Sequence, residues 1–251
     1  MRVSPSLLLV ATALTAFFAA QTALGSPPPV TQPATVDFQP AAAVIEPKKP
    51  AGPRPFRLAV VHRNVTFSAR PGGPSAGTLG TTTEFGSPQV LGVAARRGAW
   101  LGVVSSARPN GALAWVRRDA AVTIERTRWS LHADLSEHSV TLRRNGRVLH
   151  RLKVAIGRPC SETPTGRFAV TDKLAGSTYG PYYGCCVLAL SAHQPNTPPG
   201  WTGGNRLAIH GTDSPATIGT AASAGCLRAA DADLEVLMAK VPLGTPVFIR
   251  A

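Results

Sequence analysis

The sequence predicts a mainly β chain that carries a single helix. Short apolar runs recur from residue 56 onward and are separated by turns rich in glycine and proline, which is typical of strands. Asn145-Gly146 lies between two such runs and favours a tight hairpin. Clear helical periodicity is found at one place, about residues 232–240.

Residues 1–25 are typical of a secretory signal peptide. Arg2 is the only charge before an apolar run at 7–18, and the small residues of Ala23-Leu24-Gly25 follow it. The run is shorter than the roughly 20 residues that a membrane span needs. We therefore expect an exported protein of the periplasm or cell wall, which an uncleaved signal would tether to the membrane.

Residues 26–55 form a predicted linker. They are rich in proline and alanine, as in Pro27-Pro28-Pro29, and this composition favours extended conformations over a packed core. We expect the segment to act as a spacer between the membrane and the folded part.

Residues 56–127 are predicted to form a small β-barrel. Strands are expected at 58–61, 90–93, 100–104 and 114–116, with turns at 71–74 and 77–80. About 70 residues are enough for such a unit. The order of these segments, with Asn110-Gly111 before Trp115, resembles bacterial SH3-like modules. The segment holds no reactive constellation, so a packing domain without a ligand is the alternative.

Residues 128–251 form a second predicted unit. Two apolar segments, 140–142 and 148–156, flank Asn145-Gly146, the preferred pair for a type I′ hairpin turn. Further strands are expected at 168–170, 187–190, 207–209 and 245–249.

The predicted helix at 232–240 is amphipathic. Its apolar stripe consists of Leu234, Leu237, Met238 and Val241. Asp231 is expected to cap its N-terminus, and Lys240 in the last turn complements the helix dipole.

The chain is strongly basic. It has 26 Lys and Arg against 13 Asp and Glu, a formal net charge of +13. Such a chain is attracted to polyanions, and an exported protein meets anionic cell-wall polymers first. The basic residues are scattered and aromatics are few, so we expect no nucleic-acid partner. Solubility together with an arginine-rich genomic composition is the competing explanation for the charge.

Four cysteines are present, at positions 160, 185, 186 and 226. In an oxidising compartment Cys160 can pair with Cys185 or Cys186; alternatively, Cys185 and Cys186 are buried apolar residues on opposite faces of a strand. There is no Cys-x-x-Cys pair with matching histidines, so neither a metal nor another cofactor is expected.

Cys226 is the candidate nucleophile. A thiolate is the reactive form of cysteine, and an imidazole or a cation nearby lowers the thiol pKa. His210 ends a predicted strand and can serve as base, with its ring oriented by the Gly211 carbonyl or by a nearby side chain. Arg228 is expected to lower the thiol pKa or bind a substrate carboxylate, unless it forms only a surface salt bridge.

The turn around Cys226 supplies candidate oxyanion donors. The amides of Ala224, Gly225 and Cys226 are suited, because glycine lets the backbone approach a substrate closely. Ser223 either supports the substrate or only fixes the turn through a local hydrogen bond. Tyr182, Tyr183 and His193 either line the groove or are ordinary loop residues.

The second unit resembles the L,D-transpeptidase catalytic domain, or YkuD domain. The matching segments are Thr163-Pro164-Thr165-Gly166-Arg167-Phe168, Ile209-His210-Gly211-Thr212, Ser223-Ala224-Gly225-Cys226-Leu227-Arg228 and Gly244-Thr245-Pro246-Val247-Phe248-Ile249. The resemblance implies a YkuD-type β-sandwich with one short helix after the catalytic cysteine. It covers about half the chain.

The resemblance also implies a reaction. Cys226 attacks a peptidoglycan stem peptide and expels its terminal D-alanine, and an amine of a second stem then takes the acyl group to give a 3→3 cross-link. His210 is then the base and Gly211 supplies the orienting carbonyl, while Ser223 and Arg228 match further motif positions. We expect a monomer whose partners are donor and acceptor stems.

One position departs from the family pattern. Many members have a second histidine directly before the Gly-Cys pair, where this chain has Ala224. The alternatives to cross-linking are an L,D-carboxypeptidase that trims stems and a wall-binding protein without catalysis.

Overall fold

The computed structural model describes residues 52–251, which lie in one compact unit. The predicted signal peptide and most of the predicted linker lie outside the described residues. Within the described range no helix combines the length and the apolar character that a membrane span requires.

The first sheet contains seven antiparallel strands. They are β1 (Phe56–Val61), β2 (Val65–Ser68), β3 (Ser75–Leu79), β4 (Val90–Arg97), β5 (Trp100–Val104), β6 (Ala114–Arg117) and β7 (Val122–Thr127), in the order β3-β2-β6-β5-β4-β1-β7. Alternate residues such as Ala59, Phe67 and Val103 bury a hydrophobic cluster that is separate from the rest of the protein. The strands expected near 58, 90, 100 and 114 are confirmed.

The turn expected at residues 77–80 is wrong, because strand β3 runs through Gly77. Gly77 pairs with Phe67 of β2 and has a φ of 147°. A Cβ on Gly77 would lie 2.8 Å from the Phe67 ring, so the glycine lets the ring pack across the strand. This glycine therefore serves close packing within a strand and does not form a turn.

The second sheet contains eight strands in the order β10-β9-β8-β17-β12-β13-β14-β16. They are β8 (Trp129–Asp134), β9 (Ser139–Arg144), β10 (Arg147–Lys153), β12 (Gly166–Ala175), β13 (Cys186–His193), β14 (Arg206–His210), β16 (Leu227–Arg228) and β17 (Pro246–Arg250). Two short strands, β11 (Ile156–Gly157) and β15 (Ala221–Ser223), pair with each other. Strands β13 and β14 are almost fully buried and carry the candidate site at one end.

The hairpin between β9 and β10 is confirmed. Asn145 and Gly146 have φ angles of 53° and 76°, and a type I′ turn requires positive φ at both central residues.

The helix α1 (Asp231–Lys240) packs against β13 and β14. Leu234 and Leu237 are fully buried, as the apolar stripe predicts. The expected cap is wrong, because Asp231 is the first helical residue and Ala230 precedes it without a side-chain cap. The Asp231 carboxylate instead lies against the backbone of Gly184 and Gly211, where neither position has room for a Cβ.

Polar side chains join the two sheets. Asn110 donates to the His193 carbonyl at 2.6 Å and accepts from the His193 amide at 2.9 Å. The His193 ring contacts the Ser106 carbonyl at 2.7 Å. Arg206 pairs with Glu84 in the same region. His193 is thus used to fix the first sheet against β13.

Candidate active site

Parallel pairing of β14 with β16 brings the candidate base and nucleophile to neighbouring strands. Ile209 pairs with Leu227, and His210 pairs with Arg228. Cys226 directly precedes β16, so this register places it beside Ala208, two positions before His210 on the neighbouring strand. The register explains why two motifs that are separate in sequence form one site.

His210 is fully buried, and each of its ring nitrogens has a distinct environment. Nδ1 lies 2.6 Å from the Gly211 carbonyl, whereas Nε2 has no hydrogen-bond partner among the described residues. Burial lowers the His210 pKa to about 4, and the positive charge of Arg228 acts in the same direction against the Gly211 hydrogen bond. The ring is therefore neutral at pH 7, with Nδ1–H donating to Gly211 and the Nε2 lone pair available.

The Cys226 thiol is protonated at rest. Burial raises its pKa to about 11, although the Ala208 amide and Arg228 both favour the thiolate. The expectation that Arg228 lowers the pKa is correct for this one contribution and wrong for the sum, because desolvation is the larger effect. The thiol and the imidazole are therefore both neutral at rest.

Hydrogen bonds fix the turn that carries Cys226. Ser223 Oγ accepts from the Gly225 amide at 3.0 Å and donates to the Cys226 carbonyl at 2.6 Å. Thr163 Oγ1 accepts from the Gly157 amide at 2.9 Å and donates to the Gly225 carbonyl at 2.8 Å. The Gly225 amide is thus already bonded, which contradicts its expected use as an oxyanion donor.

Gln194 holds the same turn from the opposite side, and sequence reasoning missed it. Its buried side-chain amide donates to the carbonyls of Ser161, Glu162 and Ala224 at 3.0 to 3.1 Å. It also occupies the space in which a Cβ on Gly225 would lie. No local pattern identifies this role, because all three acceptors are backbone atoms at least 30 positions away.

Aromatic side chains form the walls of the cavity beside Cys226, here called the cysteine groove. Its lining includes Tyr182, Tyr183, Gln194, Trp201, Leu207, Ala224 and Cys226. The Tyr182 and Tyr183 ring centroids lie 5.6 Å and 4.9 Å from that of His210. Burial raises the pKa of both tyrosines, so they are neutral phenols. Of the two alternatives for these tyrosines, the groove-lining one is correct.

Arg228 is buried, with its guanidinium 5.6 Å from the centre of the Tyr182 ring. Its Nε has no partner, and no carboxylate lies within salt-bridge distance of it, among the described residues. The surface salt bridge is therefore the wrong alternative. The positive charge of the guanidinium acts on the thiol and favours its deprotonation.

Cys185 and Cys186 form a disulfide with each other, and Cys160 is free and exposed. Both expected alternatives for these cysteines are wrong. Cys185 lies just before β13, after Gly184 in the left-handed region, so the two cysteines do not continue as alternating strand residues. Cys160 lies on the separate loop before β12 and is not part of the bridge.

Residues 128–249 match the family model YkuD, described as the L,D-transpeptidase catalytic domain. The YkuD protein of Bacillus subtilis (strain 168) is 32% identical over 124 residues, which are 49% of this chain and 66% of the relative. Its Bacillus licheniformis counterpart is 28% identical over 123 residues, 48% of this chain and 65% of the relative. The chain thus spans slightly less than two thirds of each relative.

Solved L,D-transpeptidase structures are also similar to the chain. L,D-transpeptidase 3 from Mycobacterium tuberculosis, in complex with a faropenem-derived adduct, is 18% identical, with 56% of this chain and 74% of that chain covered and a TM-score of 0.40. The E. faecium catalytic domain is 21% identical, with 49% and 96% covered and a TM-score of 0.36.

Proposed function

We propose that this protein joins peptidoglycan stem peptides through a cysteine acyl-enzyme, because residues 128–249 match the family model described as the L,D-transpeptidase catalytic domain. One observation carries the proposal. A half-buried thiol lines a groove beside a neutral imidazole whose Nε2 is free to accept a proton. Nucleophilic catalysis by cysteine needs such a pair.

The pKa values define the first step. Since Cys226 has a pKa of about 11 and His210 of about 4, the resting pair is neutral and proton transfer accompanies attack. The sulfur bonds to the carbonyl carbon at the L-centre of the donor's diamino acid, and its proton passes to His210 Nε2. The bond to the terminal D-alanine breaks, and the leaving amine takes the proton from Nε2.

The second step reverses the roles. An amine of the acceptor stem attacks the thioester carbon, and Nε2 accepts a proton from that amine. The C–S bond breaks, and the sulfur recovers its proton from His210. The product is a 3→3 amide cross-link, and one D-alanine is released for each link.

The surrounding residues support this chemistry. With the Gly225 amide bonded to Ser223, the amides of Ala224 and Cys226 are the candidates for the oxyanion. Arg228 stacks on Tyr182 of the groove wall, and its positive charge there favours binding of a stem carboxylate. Ala224 adds no imidazole, so donor binding depends on the tyrosine and tryptophan walls.

The proposal includes export to the periplasm or cell wall, which rests on the signal-like residues 1–25 and the proline-rich spacer after them. It also treats residues 56–127 as an SH3-like accessory module on a monomeric protein.

Incubation with a purified disaccharide-tetrapeptide, followed by mass spectrometry, tests the proposal. We expect cross-linked dimers, released D-alanine and a thioester on Cys226. Cys226→Ala should reduce product formation by at least about 10³-fold while the fold is retained. Cys160→Ala is the matched control and should keep full activity, since Cys160 is exposed on another loop.

Two outcomes would contradict the proposal. Trimmed monomers without dimers, even with excess acceptor, would identify an L,D-carboxypeptidase. Absence of any acyl-enzyme, with wall binding unchanged in Cys226→Ala, would identify a binding protein instead.

A further inference from the structure

We propose that a cleft lined by arginines, outside the cysteine groove, binds a linear phosphodiester polymer of sugar or polyol phosphates. The cleft, here called the arginine cleft, is lined by Arg54, Arg57, Arg96, Arg126 and Arg167 over a floor that includes Phe56 and Val93. This binding site goes beyond the proposed acyl transfer and does not depend on it.

The charge of the arginine cleft is not neutralised within the described residues. No acidic residue lines it. The ion pairs among the described residues involve His150, Arg206 and Arg250, none of which belongs to the cleft. Several cations in one concave surface create a positive potential that attracts a polyanion.

Two of the arginines face each other across neighbouring strands. Arg57 of β1 pairs directly with Arg126 of β7, and both side chains are exposed. Side chains directly opposite on antiparallel strands are roughly 5 Å apart at Cβ, and like charges at such positions destabilise a sheet. A bound phosphate relieves this repulsion, because guanidinium groups donate paired hydrogen bonds to phosphate oxygens.

Arg57 and Arg126 lie at the point where the core-facing side chains of β1 and β7 change from buried to exposed. Ala59 and Ile124, two positions from Arg57 and Arg126, pack in or against the cluster of the first sheet. Side chains alternate along a strand, so each arginine continues a core-facing row into solvent. The rigid sheet therefore fixes the spacing between the two charges before any ligand binds.

Arg167 closes the cleft from the second sheet. Its Nη2 donates to the Val93 carbonyl of β4 at 2.9 Å, and its guanidinium lies 5.6 Å from the centre of the Phe248 ring. These contacts hold the guanidinium in place, and an ordered charge loses less entropy on binding than a free one. The site thus combines charges from both sheets.

The shape of the cleft favours a linear polymer with one charge per repeat. A flat bilayer surface does not reach the floor of a concave site lined by Val93 and Ala94. Single-stranded nucleic acid is bound through aromatic stacking platforms, whereas Phe56 is the only aromatic residue among the described residues of this lining. A flexible phosphodiester chain can follow the row of arginines with no stacking partner.

Fluorescence anisotropy with a labelled glycerol-phosphate oligomer tests the proposal. The full chain carrying Cys226→Ala is used, so that thiol chemistry cannot contribute and failure of acyl transfer is a separate result. Adding Arg57→Gln and Arg126→Gln should weaken binding by about tenfold or more and should make the salt dependence of Kd shallower.

The matched control adds Arg63→Gln and Arg118→Gln, which remove two exposed arginines of the same region outside the cleft. This double variant should change the oligomer Kd by less than about twofold, since screened distant charges contribute little. Folding of each variant is checked by its urea unfolding curve.

Three results would overturn the proposal. Equal weakening in both double variants would show attraction by bulk charge. Absence of oligomer binding at low salt would show that the cleft does not take phosphodiesters. Tighter binding of single-stranded DNA or of phosphatidylglycerol vesicles, with the same dependence on Arg57 and Arg126, would assign the cleft to a different class of partner.

Discussion

The cysteine groove and the arginine cleft belong to one compact unit but differ in the charge state of their key side chains. In the groove, burial keeps both His210 and Cys226 neutral at pH 7. In the cleft, Arg57 and Arg126 stand exposed and opposed, without a carboxylate partner among the described residues. Burial therefore favours neutral side chains at the groove, whereas the exposed arginines of the cleft carry part of the formal net charge of +13.

Arg228 is the exception that refines this contrast. It is a buried cation stacked on Tyr182 of the groove wall, whereas the cation in the groove lining, Arg206, is paired with Glu84. Its charge disfavours protonation of His210 and favours the Cys226 thiolate. Arg228 thus adds a fixed positive charge close to two groups that are neutral at rest.

The largest predicted effect is a loss of unfolding free energy on acidification, caused by the buried imidazole of His210. The folded pKa of His210 is about 4, below its ordinary value of 6.5, so the unfolded chain binds the proton first. The wild type should lose on the order of 3 kcal/mol of unfolding free energy from this residue between pH 6.5 and pH 4.

Urea titrations of the wild type and His210→Asn at several pH values measure this loss. The difference between the two proteins isolates His210 from other groups, including His132, whose pKa burial also lowers. Identical pH dependence in both proteins would mean that His210 is not held neutral, and the comparison of the two regions would fail.

Removing the amide of Gln194 should have the next largest effect. Gln194→Ala leaves the carbonyls of Ser161, Glu162 and Ala224 without this donor and should lower the unfolding free energy by about 1–3 kcal/mol. If Gln194 positions the nucleophile turn, kcat for acyl transfer should fall by about tenfold or more with little change in KM.

Asn196→Ala is the control for this experiment. Asn196 is exposed, and its contact with Gln194 uses its backbone amide, so the substitution should leave stability and kcat near wild-type values. A Gln194→Ala protein with lower stability and unchanged kcat would show a purely structural role.

The smallest effect is expected in the cleft and has the opposite sign. Arg57→Gln with Arg126→Gln removes a cross-strand repulsion, so unfolding free energy at low salt should rise by about 0.5 kcal/mol. The gain should vanish at about 1 M salt, where charges are screened within roughly 3 Å. Urea titrations at two salt concentrations measure it, and a loss of stability would contradict the assignment of unneutralised charge.

The sequence predicted those features that depend on local chemistry. Asn145-Gly146 adopts the positive φ angles of its turn, and the buried stripe with Leu234 and Leu237 identified α1. It did not predict features that depend on contacts between distant segments. The sign of the Cys226 pKa shift follows from burial that packing creates, and Gln194 acts through backbone atoms with no sequence signature.

The cysteine pairing illustrates the same limit. The choice between Cys160 and Cys186 as partner of Cys185 depends on the path of two loops, which spacing in the sequence does not describe. Asp231 likewise has the residue type of a helix cap, but its carboxylate lies against the backbone of Gly184 and Gly211. Sequence alone does not show this contact, because these glycines are distant along the chain.

The disulfide between Cys185 and Cys186 has a practical consequence for spectroscopy. It leaves two thiols, of which Cys226 is half-buried with a pKa of about 11 and Cys160 is exposed. A maleimide dye or spin label at neutral pH should therefore react at Cys160. That loop continues into Ser161 and Thr163, which bond to Gln194 and Gly225, so the natural chain carries its own attachment point for a reporter of groove motion.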